Sequence, residues 1–202
     1  DTKFQIKIVV NKNDKTIKIV DNGIGMTDEE VKKYINQIAF SGAKDFLEKY
    51  KDKEEESQII GHFGLGFYSA FMVAERVQID TLSYQEGAEA VKWVSSGQTE
   101  YEMDSSDRSE QGTTVTLYMA EDSLEFVEYF TMKEVLEKYF SFLPYELYLE
   151  DAAKENEESD KDKEGEEEPE EPKPLNDTHP LWLKKPSDCT DEEYKEFYRK
   201  TF

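Results

Sequence analysis

Asp21-Asn22-Gly23-Ile24-Gly25-Met26-Thr27 stands where one hydrophobic period gives way to another. Before it, Phe4, Ile6, Ile8 and Val10 alternate with Gln5, Lys7 and Val9, the period of a half-buried strand. Asn11-Lys12-Asn13-Asp14 has turn chemistry, and Thr16 to Val20 returns as the second arm of a hairpin. After the stretch, Thr27 and Glu30 have the spacing of a capping box. Asp28, Glu29 and Glu30 suit the positive end of a helix expected from Asp28 to about Ile38. A strand that becomes a helix through two glycines sets the Asp21 carboxylate beside accessible backbone. An ionised carboxylate only accepts hydrogen bonds, so Asp21 suits the exocyclic amine of a purine, or it caps the backbone donors of a tight turn. Both readings stand on this motif alone. Met26 is adaptable enough to pack on a base plane.

Forty residues on, Gly61-His62-Phe63-Gly64-Leu65-Gly66-Phe67 supplies a second glycine-rich turn before a buried helix expected over 66–73. Its backbone N–H groups, followed by a helix N-terminus, suit phosphate oxygens; the same glycines also suit close packing of a helix on a sheet. No Gly-Lys-Ser/Thr follows, and the spacing is not that of a dinucleotide fold. Between the two turns, Ser41-Gly42 breaks the helical pattern and 51–57 is charged, which reads as a flap. Val77, Ile79, Thr81, Val91 and Trp93 read as strands, as do Glu100-Tyr101 and Thr113 to Met119. Phe126, Phe130, Val135, Leu136, Tyr139 and Phe140 recur at helical spacing within 124–143, with a cap expected at Thr131 and Glu134. Pro144 ends that helix, and Tyr145 to Glu150 is a last strand.

The 202 residues carry 47 acidic against 25 basic side chains, a net charge of −22 that repels nucleic acid phosphates and argues against DNA or RNA as a partner. Hydrophobic residues make up 37%, and 12 Tyr and 12 Phe provide for a core. No apolar run is long enough to span a bilayer and no leader pattern opens the chain, so the expectation is a soluble, cytoplasmic protein without a membrane partner. The single Cys189 fits a reducing compartment. His62 and His179 lack the company of a metal site. Between Lys154 and Lys173, eleven acids, four lysines and two prolines leave almost nothing apolar, the composition of a disordered linker or of an acidic partner-binding tail. Beyond it, Leu181-Trp182-Leu183 and a capping box at Thr190 and Glu193 open what reads as a further domain.

The two glycine turns, joined by Gly112-Thr113-Thr114 at the start of a later strand, resemble the nucleotide site of the GHKL superfamily, which unites gyrase, histidine kinases, mismatch-repair proteins and heat-shock chaperones. The nearest resemblance is to the ninety-kilodalton heat-shock chaperone family in its bacterial type. It covers nearly the whole chain, including the acidic stretch and Pro180-Leu181-Trp182-Leu183-Lys184-Lys185-Pro186. The resemblance implies an α+β fold, a two-layer sandwich whose mixed, mostly antiparallel sheet carries helices on one face. It implies ATP or ADP as ligand and Mg2+ in the full protein. By motif, Asp21 would bind the adenine amine, with Gly25 and Thr113 helping through water, and Met26 and Phe67 would line the pocket. Gly64, Leu65, Gly66 and Phe67 would offer backbone donors to the phosphates, residues 38–57 would form a lid, and Ile24, Val77, Ile79 and Val115 the walls. The partners implied are client proteins, cochaperones and a second copy in a homodimer.

Tyr34 and Phe40 stand where some members have an Asn and a Lys near the nucleotide. The family's water-activating Glu and Mg-associated Asn lie on a helix ahead of the first hairpin, a segment absent from these residues, so no catalytic residue is assigned. The expectation is that these residues bind nucleotide weakly or not at all and do not hydrolyse it. The domain reading is 1–151 for the ATP-binding domain, 152–174 for the linker and 175–202 for the start of a middle domain. The rival readings are a nucleotide-binding regulatory module without turnover and another GHKL ATPase.

Overall fold

A computed structural model describes residues 3–36, 66–98, 100–153, 173–185 and 189–201. The period-two stretch at the N-terminal end forms β1 (Gln5–Asn11), and β2 (Thr16–Asp21) returns antiparallel to it. The Asn11 amide closes the connection, donating to Asp14 Oδ2 at 2.8 Å and accepting the Asp14 N–H at 2.9 Å. Five further strands follow: β3 (Ala74–Leu82), β4 (Val91–Ser95), β5 (Tyr101–Ser105), β6 (Gly112–Met119) and β7 (Glu146–Asp151). They form one sheet in the order β5-β4-β3-β6-β2-β1-β7, antiparallel at every junction except the parallel pair β1–β7. The α+β class with a mixed, mostly antiparallel sheet is therefore as expected.

Directly paired residues share a face of the sheet, so the register lays out rows. Val10, Ile17, Leu117 and Val77 form one row, and Ile8, Ile19, Val115, Ile79 and Trp93 the next. Most of these side chains are buried in the core. The third row runs Leu147, Ile6, Asp21, Thr113, Thr81, Val91, and turns polar at its centre. Helical elements cover this face. The capping box starts α1 (Asp28–Tyr34): Thr27 Oγ1 accepts the Glu30 N–H at 3.3 Å, Glu30 Oε2 accepts the Thr27 N–H at 2.8 Å, and Val31 is fully buried.

Two helices differ from the sequence expectation. Residues Gly66–Met72 form a 3₁₀ helix with no fully buried residue. Phe67 and Phe71 are half-buried against the core while Met72 is exposed, because only one side of this short turn meets the sheet. The single helix expected over 124–143 is two: a 3₁₀ helix Glu121–Val127 and α2 (Tyr129–Phe140), parted at Glu128, whose φ −76° and ψ 125° are extended. That break resets the helical phase. Val127, Met132 and Leu136 face the core, whereas Phe130 and Tyr139 are 74% and 67% exposed. Glu128, not Thr131, stands at the N-terminal cap of α2, without a side-chain cap bond.

Past the acidic stretch, the chain returns to the open edge of β7. Leu175 N–H donates to Leu147 O at 2.8 Å. The buried Asn176 amide accepts the Leu147 N–H at 2.8 Å and donates to Leu143 O and Tyr145 O at 2.7 and 2.8 Å. Trp182 then packs edge-on against Phe142 (4.7 Å between centroids) and Phe197 (5.9 Å); the latter lies on α3 (Asp191–Thr201). The expected Thr190–Glu193 box starts α3, and Glu193 also pairs with Lys184 at 2.8 Å. These contacts, led by the Lys184 bond, hold the Glu193 carboxyl down at about 2. No described helix is long and apolar enough to cross a membrane.

Replacing Asn176 by Ala strips three backbone groups of their partner. It should cost about 1–3 kcal/mol in urea unfolding followed by circular dichroism, the range for leaving buried polar groups unpaired.

Candidate functional site: a carboxylate in the polar row

Asp21 ends β2 on the core face, where the last ladder rung pairs it with Thr113. Its Oδ1 accepts two backbone N–H groups, from Gly23 at 2.9 Å and Thr113 at 3.3 Å. No donor among the described residues reaches Oδ2, and no buried side-chain oxygen or nitrogen among them lacks a partner, so Oδ2 is not sealed off among these residues. Two strands over, across β6, the Thr81 hydroxyl is fully buried. It accepts the Met26 N–H at 2.9 Å and lies 3.0 Å from the Thr113 hydroxyl and 3.2 Å from Gly112 O.

The turn after Asp21 is held against the end of β3. Gly25 has φ +62°, and a Cβ there would sit 1.9 Å from Leu82 O, so both the backbone angle and the contact demand glycine. Tyr84 N–H donates to Ile24 O at 2.8 Å, tying the turn to the segment just past that strand. Gly112 (φ +118°) crosses so near that a Cβ would meet Asp21 O at 2.2 Å. Arg108 closes the rim, donating to Asp21 O at 3.1 Å, Thr114 Oγ1 at 2.5 Å and Glu110 O at 2.8 Å.

Burial raises the pKa of Asp21; the N–H bonds from Gly23 and Thr113 and the Arg108 charge oppose it without cancelling it. A carboxylate whose folded pKa lies above its unfolded one favours the fold at low pH. That contribution is lost as pH rises from the ordinary aspartate range toward the raised value.

Of the residues expected at a site, the structure brings Asp21, Gly25, Met26 and Thr113 together; Met26 is half-buried on the core. The Phe67 ring packs edge-on against Trp93 at 5.6 Å, one row from the Asp21 row, and the adjoining Gly66 is exposed. Gly64, Leu65, His62, Phe40 and the lid fall in 37–65, outside the described residues. Of the expected wall residues, Val77 and Ile79 lie sealed in the core, Val115 is half-buried and Ile24 exposed. A cleft of about 490 Å³ between Lys32, Glu89, Val91 and Met103 does not include Asp21 in its lining. Among the described residues, no group of three or more His, Cys, Asp or Glu could hold a metal ion. Sequence reasoning passed over Thr81 and Arg108. Thr81 is signalled only by its place opposite Thr113 once β3 and β6 are in register.

A sheet with helices on one face, whose strand end presents a glycine-flanked carboxylate, defines a GHKL-type ATPase domain. Residues 2–127 match the family model described as histidine kinase-, DNA gyrase B- and HSP90-like ATPase, and residues 149–202 match that of Hsp90 protein. The chain belongs to this ATPase family, in its Hsp90 branch. It is 50% identical over 187 residues to the chaperone protein HtpG of Bacteroides fragilis, covering 93% of this chain and 26% of that protein. The HtpG proteins of Porphyromonas gingivalis and Fusobacterium nucleatum are 46% and 38% identical over 98% and 99% of this chain, and 28% and 30% of their own lengths. The chain thus spans under a third of these relatives. Membership of the family implies nucleotide binding.

Thr81→Val keeps shape but leaves the Met26 N–H without an acceptor, and should cost about 1–3 kcal/mol in chemical denaturation. Asp21→Asn keeps the Oδ1 acceptor and removes a desolvated charge. It should melt at or above the parent's temperature at neutral pH, and this advantage should vanish below about pH 4. Equal pH dependence of the two proteins would contradict a raised Asp21 pKa.

Proposed function

We propose that this chain carries the adenine-binding end of the ATP site of an Hsp90-type molecular chaperone. The observation that supports this is the division of labour on one carboxylate: Oδ1 is satisfied by the fold and Oδ2 is left for a ligand donor. An adenine 6-amino group suits that acceptor. A guanine carbonyl at the same position would oppose it, so the site selects by charge and by hydrogen-bond sense. Gly25 and Thr113 would assist through water, Met26 and Phe67 would line the base, and Gly64, Leu65, Gly66 and Phe67 would supply N–H groups to the phosphates. Bound nucleotide supplies a phosphate chain whose presence residues 38–57 would sense as a lid. Mg2+ would enter with that chain; no described residue is assigned to it.

On this reading, residues 1–151 belong to the ATP-binding domain, 152–174 to the charged linker and 175–202 to the start of the middle domain. The whole protein would hydrolyse ATP in a cytoplasmic chaperone cycle, acting on client proteins as a homodimer with cochaperones. The relatives' printed names support a chaperone over a regulatory module without turnover.

Titration calorimetry on the full-length protein tests the site. Asp21→Asn should weaken ADP binding by about 10- to 150-fold, the worth of a hydrogen bond to a charged group, and narrow the preference for ADP over GDP. Unchanged affinity in a folded Asp21→Asn protein would remove the proposal.

A further inference from the structure

The dipeptide Asn22-Gly23 lies inside the site's turn, and its chemistry is independent of any nucleotide. Asparagine followed by glycine is the pairing most open to succinimide formation, because no side chain shields the following amide nitrogen. The fold disarms both reactants. The Asn22 amide continues the β1–β2 ladder by one rung: Oδ1 accepts the Gln5 N–H at 2.8 Å and Nδ2 donates to Lys3 O at 2.8 Å. Only this orientation of the amide satisfies both partners. The attacking atom, Gly23 N, is held by its hydrogen bond to Asp21 Oδ1 at 2.9 Å.

We propose that Asn22-Gly23 is a latent deamidation site whose safety catch is residues 3–5, at the entry to β1. When residues 3–5 peel from β2, the Asn22 side chain is free to turn toward Gly23. The Gly23 nitrogen then loses its proton to water and bonds to Asn22 Cγ, and ammonia leaves. Water opens the resulting imide at either carbonyl, leaving aspartate or isoaspartate at position 22. The products do not fit the catch. A carboxylate replaces the Nδ2 donor and faces the Lys3 carbonyl, acceptor against acceptor. The isoaspartyl form also lengthens the main chain by one carbon between residues 22 and 23, which moves the Gly23 N–H off Asp21. Fraying of a strand end is thereby written irreversibly into the adenine-side turn, and the reaction rate follows the population of the opened end.

Peptide mapping by mass spectrometry, with isoaspartate-specific fragmentation, measures the rate at position 22 in the full-length protein at physiological pH and temperature. The folded protein should react about tenfold or more slowly than the same protein in urea, the factor expected when three hydrogen bonds must open first. Gln5→Pro removes the one N–H that Asn22 Oδ1 accepts, at the first residue of a strand where proline is tolerated. With its fold verified by circular dichroism, this variant should deamidate several-fold faster than the parent. Equal rates in folded and urea-unfolded parent overturn the proposal, as does a folded Gln5→Pro variant that reacts no faster than the parent. Should Gln5→Pro lose its fold, the parent comparison decides alone.

Discussion

The Thr81 hydroxyl is where three parts of this domain meet. As an acceptor it fixes Met26, and with it the start of α1; as a partner of Thr113 and Gly112 it joins the end of β3 to the start of β6. A fully buried hydroxyl has one proton to give and two lone pairs to fill, and leaving either need unmet is costly. The strand ends must therefore stay in register for the turn to exist, and the turn must exist for the Asp21 carboxylate to stand at the end of the row. Gly25 enforces the same geometry from the other side, since only a residue without Cβ can lie against Leu82 O.

The sheet is divided by face as well as by row. Toward the helices, two apolar rows supply cohesion through burial. On the other face the side chains satisfy one another: Asp80 accepts from Gln78 and from Ser106 at 2.7 Å each, Lys7 pairs with Glu150, and Arg76 lies over the Tyr118 ring at 3.7 Å. The polar centre of the third row lies on the core face, inside the molecule's low-dielectric side. That placement explains why burial governs Asp21 in spite of two N–H donors and an arginine nearby.

What could be read from the sequence was whatever short-range chemistry decides. The alternation before Asn11, the Thr27–Glu30 and Thr190–Glu193 boxes and the glycines around Asp21 each act within a few residues, and each formed as read. Thr81 looked like any inward strand residue, because its role depends on pairing with residues 31 and 32 positions away. Arg108 sits in a polar loop and reaches back 87 residues to Asp21. The break at Glu128 went unseen because aromatic residues kept helical spacing across it; the extended backbone there, not the composition, chose which of them faced the core. The readings at 61–65 and 38–57 lie outside the described residues.

The return of the chain to β7 joins this row to the sequence beyond the acidic stretch. Leu175 bonds Leu147, Leu147 pairs with Ile6, and Ile6 pairs with Asp21. The two family matches fall on either side of the same join, one ending at 127 and the other beginning at 149 within β7. Hydrogen-bonded contiguity transmits nothing by itself unless some element has two discrete arrangements. The join itself is made by several contacts: the Asn176 amide serves three backbone groups, Leu175 and Asp177 donate to Leu147 O and Ser141 O at 2.8 Å each, and Trp182 packs on Phe142. The segment leading into Trp182 and α3 is therefore fixed to the edge of β7 by several short contacts at once rather than by one side chain.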